Sequence, residues 1–236
     1  MKGPKTEKIR ALFNSIAKDY DKLNHILSLG VDRTWRKRAI KYIAENKPQQ
    51  ILDIACGTGD FSLEIARRSH PDTMITGLDL SEGMLEVMDC KVAEAGLSER
   101  IHTQQGNSEA MDFEDNSFDR VTIAFGIRNF ENRETALIEI LRILKPGGRL
   151  VILELSVPSN PVLRWCYNLY FTKIIPRIGG AVSGDKAAYS YLPASVIQFP
   201  GKEEWMATMH SCGYGEVKHK AFTFGICHMY TGEKRL

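Results

Sequence analysis

The chain has little of the chemistry that marks secreted, membrane-spanning or metal-holding proteins. Its five cysteines, Cys56, Cys90, Cys166, Cys212 and Cys227, are scattered and odd in number, with no C-x-x-C spacing. Neither a disulfide framework nor a zinc site follows from that pattern, and a reducing compartment is expected. The six histidines are isolated, with no H-x-x-x-H pair, so no metal is expected. No run reaches the roughly 18 consecutive apolar residues that cross a bilayer, and the start MKGPKTEK has no apolar export core. A cytoplasmic protein is expected, with peripheral contact at a membrane surface left open. A formal charge of +2 gives no electrostatic reason to expect a nucleic-acid partner. No repeat, low-complexity tract or linker divides the 236 residues, which read as one domain.

What is present centres on Ile51 to Phe61, ILDIACGTGDF. Ile51, Leu52 and Ile54 form a short apolar run suited to a strand buried on both faces. Gly57 and Gly59 then open a turn into a helical pattern, where backbone bends sharply and unpaired N–H groups face a ligand. Ser62 stands where a dinucleotide turn of G-x-G-x-x-G/A type needs its third small residue, which argues against that ligand. Asp53 within the strand and Asp60 after the glycines suit a ligand carrying positive charge, such as S-adenosylmethionine. A plain β-to-α turn without any ligand is the bland alternative.

Met74 to Leu80 reads as a second strand ending at Asp79, about 20 residues past Gly59, where an acid accepts from both hydroxyls of a ribose. Ile101 to Gln105 is a third strand, leading to Asn107 and Ser108 at the level of a base; the alternative there is a cap on a helical turn. Phe118 to Phe125 is a fourth strand, and Gly126-Ile127-Arg128-Asn129 after it faces the reactive end of the cofactor. Arg128 beside a sulfonium calls for an anionic substrate such as a phenolate, or else for an ordinary loop pairing with Glu131 or Glu134. Arg149 to Leu155 follows the turn Pro146-Gly147-Gly148, and Val217 to Ala221 with Phe224 to Thr231 read as closing strands. Residues 7–46 read as helices that could cover the site. Val162 to Ile175, apolar nearly all round, reads as a buried helix or a cover for a greasy substrate.

Strand, G-x-G turn, helix and acid-ended strand resemble the class I S-adenosylmethionine-dependent methyltransferases. The likeness narrows in Tyr20-Asp21-Lys22-Leu23-Asn24 with Leu27-Ser28 and Trp35, and in Arg142 to Gly148 leading to Leu153-Glu154-Leu155-Ser156. Those stretches, with Ser183-Gly184-Asp185 and Tyr191 to Ser195, resemble the UbiE/MenG quinone C-methyltransferases. Asp32, where that family usually has histidine, and Ala124, where some members have serine, depart from its pattern. The resemblance implies an α/β doubly wound Rossmann-like fold: a seven-stranded, mainly parallel sheet with a helical N-terminal extension over 1–46 and a substrate-covering insertion over 156–202. It implies S-adenosylmethionine as cofactor, held by Asp53, Gly57, Thr58, Gly59, Asp79, Leu80, Asn107 and Ser108, with Arg128 and Asn129 catalytic. Tyr20, His25 and Tyr191 are candidate bases. The implied acceptor is a reduced polyprenyl quinol, demethylmenaquinol first. A methoxybenzoquinol, another lipophilic substrate or a non-catalytic subunit of a quinone-synthesis complex are the alternatives, and a homodimer is compatible with the apolar insertion.

Overall fold

The structure, a computed structural model, describes residues 3–170 and 186–236. Gly179-Gly180, Ser183-Gly184-Asp185 and the second half of the apolar stretch from Val162 lie outside the described residues. Seven strands form one sheet in the order β3-β2-β1-β4-β5-β7-β6. They are β1 (Gln50–Ile54), β2 (Met74–Asp79), β3 (Ile101–Gln105), β4 (Phe118–Ala124), β5 (Leu144–Leu155), β6 (Gly215–Phe222) and β7 (Cys227–Glu233). The first five pair in parallel, and β7 runs antiparallel between β5 and β6. The expected doubly wound, mainly parallel sheet is therefore the fold.

Alternation along the strands sorts the core onto two faces, as a period of two requires. Leu52, Ile54, Val121, Ile123, Leu150 and Ile152 face one layer, packed on α6 (Arg133–Ile143) and α9 (Lys202–Ser211). Ile51, Ile75, Val151 and Leu153 face the other, packed on α3 (Val31–Ile40), α4 (Asp60–Arg68) and α5 (Glu82–Glu94). Trp205, 1% exposed, and Trp35, 4% exposed, anchor α9 and α3 on opposite faces.

Three features depart from the expected elements. The fifth strand begins at Leu144, because the Lys145–Gly148 loop bulges out of a strand that pairs with β4 on both sides of it, with Gly147 at φ +73° and its N–H donated to Lys234. The last strand begins at Cys227 rather than Phe224, because Thr223–Gly225 form a 3-10 turn with Phe224 at φ +55°, whereas α2 (Tyr20–Leu27) follows α1 (Pro4–Ile16) after a single 3-10 turn, as the helical reading of 7–46 expects. The helix from the apolar insertion, α7 (Pro161–Leu169), is not buried all round: Tyr167 is buried, while Val162 and Trp165 are 70% and 66% exposed. Helix α8 (Lys186–Ile197) carries the Tyr191 to Ser195 stretch.

Within the sheet, Asp53 is a buried acid, 1% exposed, joining three elements. The Ser62 hydroxyl of α4 donates to one oxygen at 2.6 Å and the Thr122 hydroxyl of β4 to the other at 2.7 Å. Ser62 thus serves the acid beneath the turn, which accounts for a hydroxyl where a dinucleotide turn has a small residue. Burial pushes the Asp53 carboxyl up to about 6, against the pull of those two hydroxyls. In the unfolded chain it titrates at 3.8, so between the two values the folded protein holds a proton that the unfolded chain has released. This contribution to stability is fully present below the lower value and is lost as pH rises through the upper one. Urea unfolding of Asp53→Asn and the wild type between about pH 4 and pH 7 should therefore show the wild type losing ground to the variant as pH rises, levelling off above the upper value. A difference independent of pH would mean that Asp53 titrates as an ordinary carboxylate.

Candidate active site

Two adjoining cavities open at the carboxyl ends of β1, β2 and β4, where ligands bind in open α/β sheets. Tyr20, Ala55, Gly57, Ala124 and Phe125 stand in the walls of both. The smaller cavity, about 60 Å³, has Gly57, Asp79, Leu80, Ser108 and Asn129 in its wall. Its outer side is made by Ile9, Arg10 and Phe13 of α1. The larger, about 400 Å³, has Asp53, Thr58 and Arg128 among its polar groups and Trp35, Phe61, Leu155, Leu163 and Ile226 among its apolar ones. Gly59 and Asn107 line neither.

The turn is built around Asp79. Its Oδ2 accepts the Gly57 N–H at 2.8 Å and its Oδ1 the Ser81 N–H at 2.9 Å. Each carboxylate oxygen has capacity left for a sugar hydroxyl. Burial raises the Asp79 carboxyl, and the N–H groups of Ser81, Gly57 and Leu80 pull it back. Gly59 is the N-cap of α4 at φ +82°, and a Cβ there would stand 2.5 Å from Met88 Cγ. Its part is conformational and steric. Asn107 closes its own turn, Oδ1 accepting from the Glu109 N–H at 3.0 Å, while neighbouring Ser108 is buried against the smaller cavity. The turn-closing alternative thus describes the Asn107 oxygen, and of the two residues it is Ser108 that lines the smaller cavity.

The N-terminal helices are tied to this turn by polar contacts that sequence reasoning missed. The Thr58 hydroxyl donates to Asp21 of α2. Lys91 of α5 bridges Asp21 at 2.7 Å and Asp60 at 2.5 Å. Asp60 is thereby neutralised by a cation of the protein, rather than standing open to a cationic ligand. Asn14 of α1 accepts from the Ser81 hydroxyl at 2.5 Å and from the Gly83 N–H at 3.1 Å. The Tyr20-Asp21 stretch drew notice only through its family likeness, and nothing local in Asn14 or Lys91 signals these roles.

Arg128 is 6% exposed and pairs with neither Glu131 nor Glu134. Its Nη1 donates at 2.7 Å to Glu154 of β5, itself fully buried, and also to the Phe125 carbonyl. The Arg128 N–H meets the other Glu154 oxygen at 3.2 Å, and Nε donates to Ser195 of α8 at 3.3 Å. Burial alone would lower the guanidinium pKa, but Glu154 raises it. The cation beside the cofactor end of the cavity therefore has its counter-anion before any substrate arrives. Asn129, 8% exposed, accepts from the Tyr191 hydroxyl at 3.0 Å.

Of the candidate bases, His25 lines neither cavity. Nδ1 lies 3.2 Å from Asp32 and Nε2 3.3 Å from Asp60. Tyr191 is engaged with Asn129, and Tyr20 stands where the two cavities meet. Burial pushes the hydroxyls of both tyrosines up, so they are phenols at neutral pH and act as donors. Asp32 is equally committed: burial would raise its carboxyl, but Ser28 at 2.6 Å, Arg36 at 2.5 Å and His25 hold it down.

The ubiE/COQ5 methyltransferase family model matches residues 1–234. The chain is 49% identical over 232 residues, covering 98% of it and 90% of the relative, to the ubiquinone/menaquinone biosynthesis C-methyltransferase UbiE of Geobacter sulfurreducens. It is 44% identical, covering 98% and 94%, to the demethylmenaquinone methyltransferase of Bacteroides fragilis. A solved Thermotoga maritima structure, described as an S-adenosylmethionine-dependent methyltransferase and possible histamine N-methyltransferase, superposes with a TM-score of 0.68 at 20% identity, covering 96% and 99%, a likeness of fold alone. With its sheet order, its two joined cavities and a family match spanning nearly its whole length, the chain belongs to the ubiE/COQ5 methyltransferase family.

Proposed function

We propose that this methyltransferase moves a methyl group from S-adenosylmethionine to a ring carbon of a reduced polyprenyl quinone, with demethylmenaquinol as the acceptor. The observation that carries the reading is the junction of the two cavities: an acid-ended nucleoside cleft opens beside a large, apolar-walled space that holds a buried arginine. The relatives named above, a ubiquinone/menaquinone C-methyltransferase and a demethylmenaquinone methyltransferase, support the same acceptor class.

The cofactor supplies an electrophilic methyl on a sulfonium. Asp79, Leu80 and Ser108 hold its adenosine, Gly57 and Thr58 the turn against it, Gly59 and Asn107 the backbone that shapes the cleft, and Asp53 the acid beneath. Arg128, oriented by Glu154, lies beside the acceptor oxygen and favours its ionised form, with Asn129 and Tyr191 as neighbouring polar groups. Loss of the hydroxyl proton to water would spread negative charge to the ring carbon, which would take the methyl group and leave S-adenosylhomocysteine; loss of the ring proton to water would then restore aromaticity. The chain's contribution is chiefly alignment and exclusion of water.

The polyprenyl tail leaves through the rim of the larger cavity, where Leu29 is 79% exposed and Phe224, next to the lining residue Thr223, is 81% exposed. Large apolar side chains at that rim suit contact with a membrane surface. No helix among the described residues is long and apolar enough to cross a membrane.

Arg128→Ala should keep cofactor affinity while turnover falls by roughly a hundredfold or more, the scale of a lost oxyanion donor. Equal turnover would remove Arg128 from the chemistry. Asp79→Ala should weaken S-adenosylmethionine binding by about tenfold or more in calorimetry, since two charged hydrogen bonds to a sugar are lost. Methyl transfer measured in parallel on short-tailed demethylmenaquinol and methoxybenzoquinol, each reduced and oxidised, tests the acceptor. Transfer to the reduced naphthoquinol is expected, and transfer to neither quinol, with cofactor binding intact, would overturn the reading.

A further inference from the structure

Arg128 is not the only guanidinium in the larger cavity. Arg36 of α3 lines it as well, with its side chain 12% exposed. Its Nη1 donates to Asp32 at 2.5 Å and lies 3.6 Å from Asp60, the first residue of α4. Its plane stands over the Phe125 ring, 5.5 Å from the centroid. Its Nε is buried and has no hydrogen-bond partner among the described residues. A buried donor without an acceptor is uncommon, and it marks Arg36 as a guanidinium whose donors the protein's own acceptors do not fill.

The surroundings specify the charge of that ligand. Asp21, Asp32, Asp53 and Asp60 all stand in this wall, and Lys91 ties up Asp21 and Asp60 from behind. Apart from Arg128, which Glu154 engages, the favourable places for an anion here are Arg36 and the first turn of α4, whose N–H groups and positive dipole end follow Gly59. Phe125 separates the duties of the two arginines: its carbonyl binds Arg128 and its ring faces Arg36. Arg128 belongs with the reacting oxygen, and Arg36 with the glycine turn.

We propose that Arg36 is the carboxylate-binding residue of the cofactor site, taking the α-carboxylate at the methionine end of S-adenosylmethionine. This rests on S-adenosylmethionine being the cofactor. A guanidinium presents paired donors that match a carboxylate, and Asp32 holds the group in orientation through Nη1, leaving the other donors of the fork for the ligand. The same assignment gives Asp32 a purpose: it positions Arg36 and offsets its charge near the sulfonium.

The test compares two ligands that share the nucleoside and differ in the amino-acid end, S-adenosylhomocysteine and 5′-methylthioadenosine. Calorimetry is run on the full-length wild type, Arg36→Gln and Arg36→Lys. The wild type should bind S-adenosylhomocysteine, and failure to do so would sink the cofactor reading itself rather than this inference. Arg36→Gln should lose roughly tenfold or more in affinity for S-adenosylhomocysteine, the worth of a charged hydrogen bond, and keep its affinity for 5′-methylthioadenosine. Arg36→Lys, which keeps the charge but not the fork, should show a smaller loss in the same direction, and it decides the matter if the glutamine variant does not fold. Unchanged affinity for S-adenosylhomocysteine with a raised KM for the quinol would assign Arg36 to a substrate oxygen and overturn the proposal. Equal losses for both ligands in Arg36→Lys would reduce Arg36 to a structural role and overturn it too.

Discussion

Three acids near the carboxyl ends of β1, β2 and β5, with Asp53 and Glu154 buried and Asp79 half-buried, hold this site together, and the rest of the structure is arranged to satisfy them. Asp53 on β1, Asp79 on β2 and Glu154 on β5 each lie where an unpartnered carboxylate would cost several kcal/mol. Each recruits its partners from a different element. Asp53 draws hydroxyls from α4 and β4, Asp79 draws the N–H groups of the two loops beside it, and Glu154 draws Arg128 from the loop after β4. The glycine turn, the helix that follows it and the reactive loop are fixed because moving any of them strands a buried charge.

The N-terminal helices add a second layer of constraint. Their contacts to the core combine apolar packing of Leu12, Phe13, Ile16 and Tyr20 around Met84 with hydrogen bonds: Asn14 on Ser81 and Gly83, Asp21 on Thr58 and Lys91, Lys5 on the Phe130 carbonyl at 2.6 Å, and Thr6 on Glu131 at 2.8 Å. Together with Ile9, Phe13 and Tyr20 they form the outer wall of the nucleoside cleft.

Electrostatics also explains how two arginines coexist with a cofactor that carries a sulfonium. Each has its own carboxylate partner within the protein, Glu154 for Arg128 and Asp32 for Arg36. The field at the methyl group is thereby moderated before a substrate binds, and each guanidinium keeps a fixed orientation. The sequence argument that an arginine here requires an anionic substrate is incomplete, because the protein supplies the anion itself.

The sequence by itself determined the sheet, the G-x-G turn and the acid ending β2. Those depend on period-two apolar runs, on glycine's freedom at positive φ and on spacing along a single βαβ unit, all of which are local. It also singled out Arg128, because that loop must follow the central strand. Only the tertiary structure decided which partners these residues have. Glu154 meets Arg128 across 26 residues, Thr58 meets Asp21 across 37 and Trp35 meets Thr223 across 188. The same holds for Asn107, whose amide oxygen is spent on its own turn, and for Arg36, which reads in the sequence as one cation of a solvated helix face. Pairings of this kind follow from which strand ends and helix faces are brought side by side, and no local pattern of residues encodes that juxtaposition.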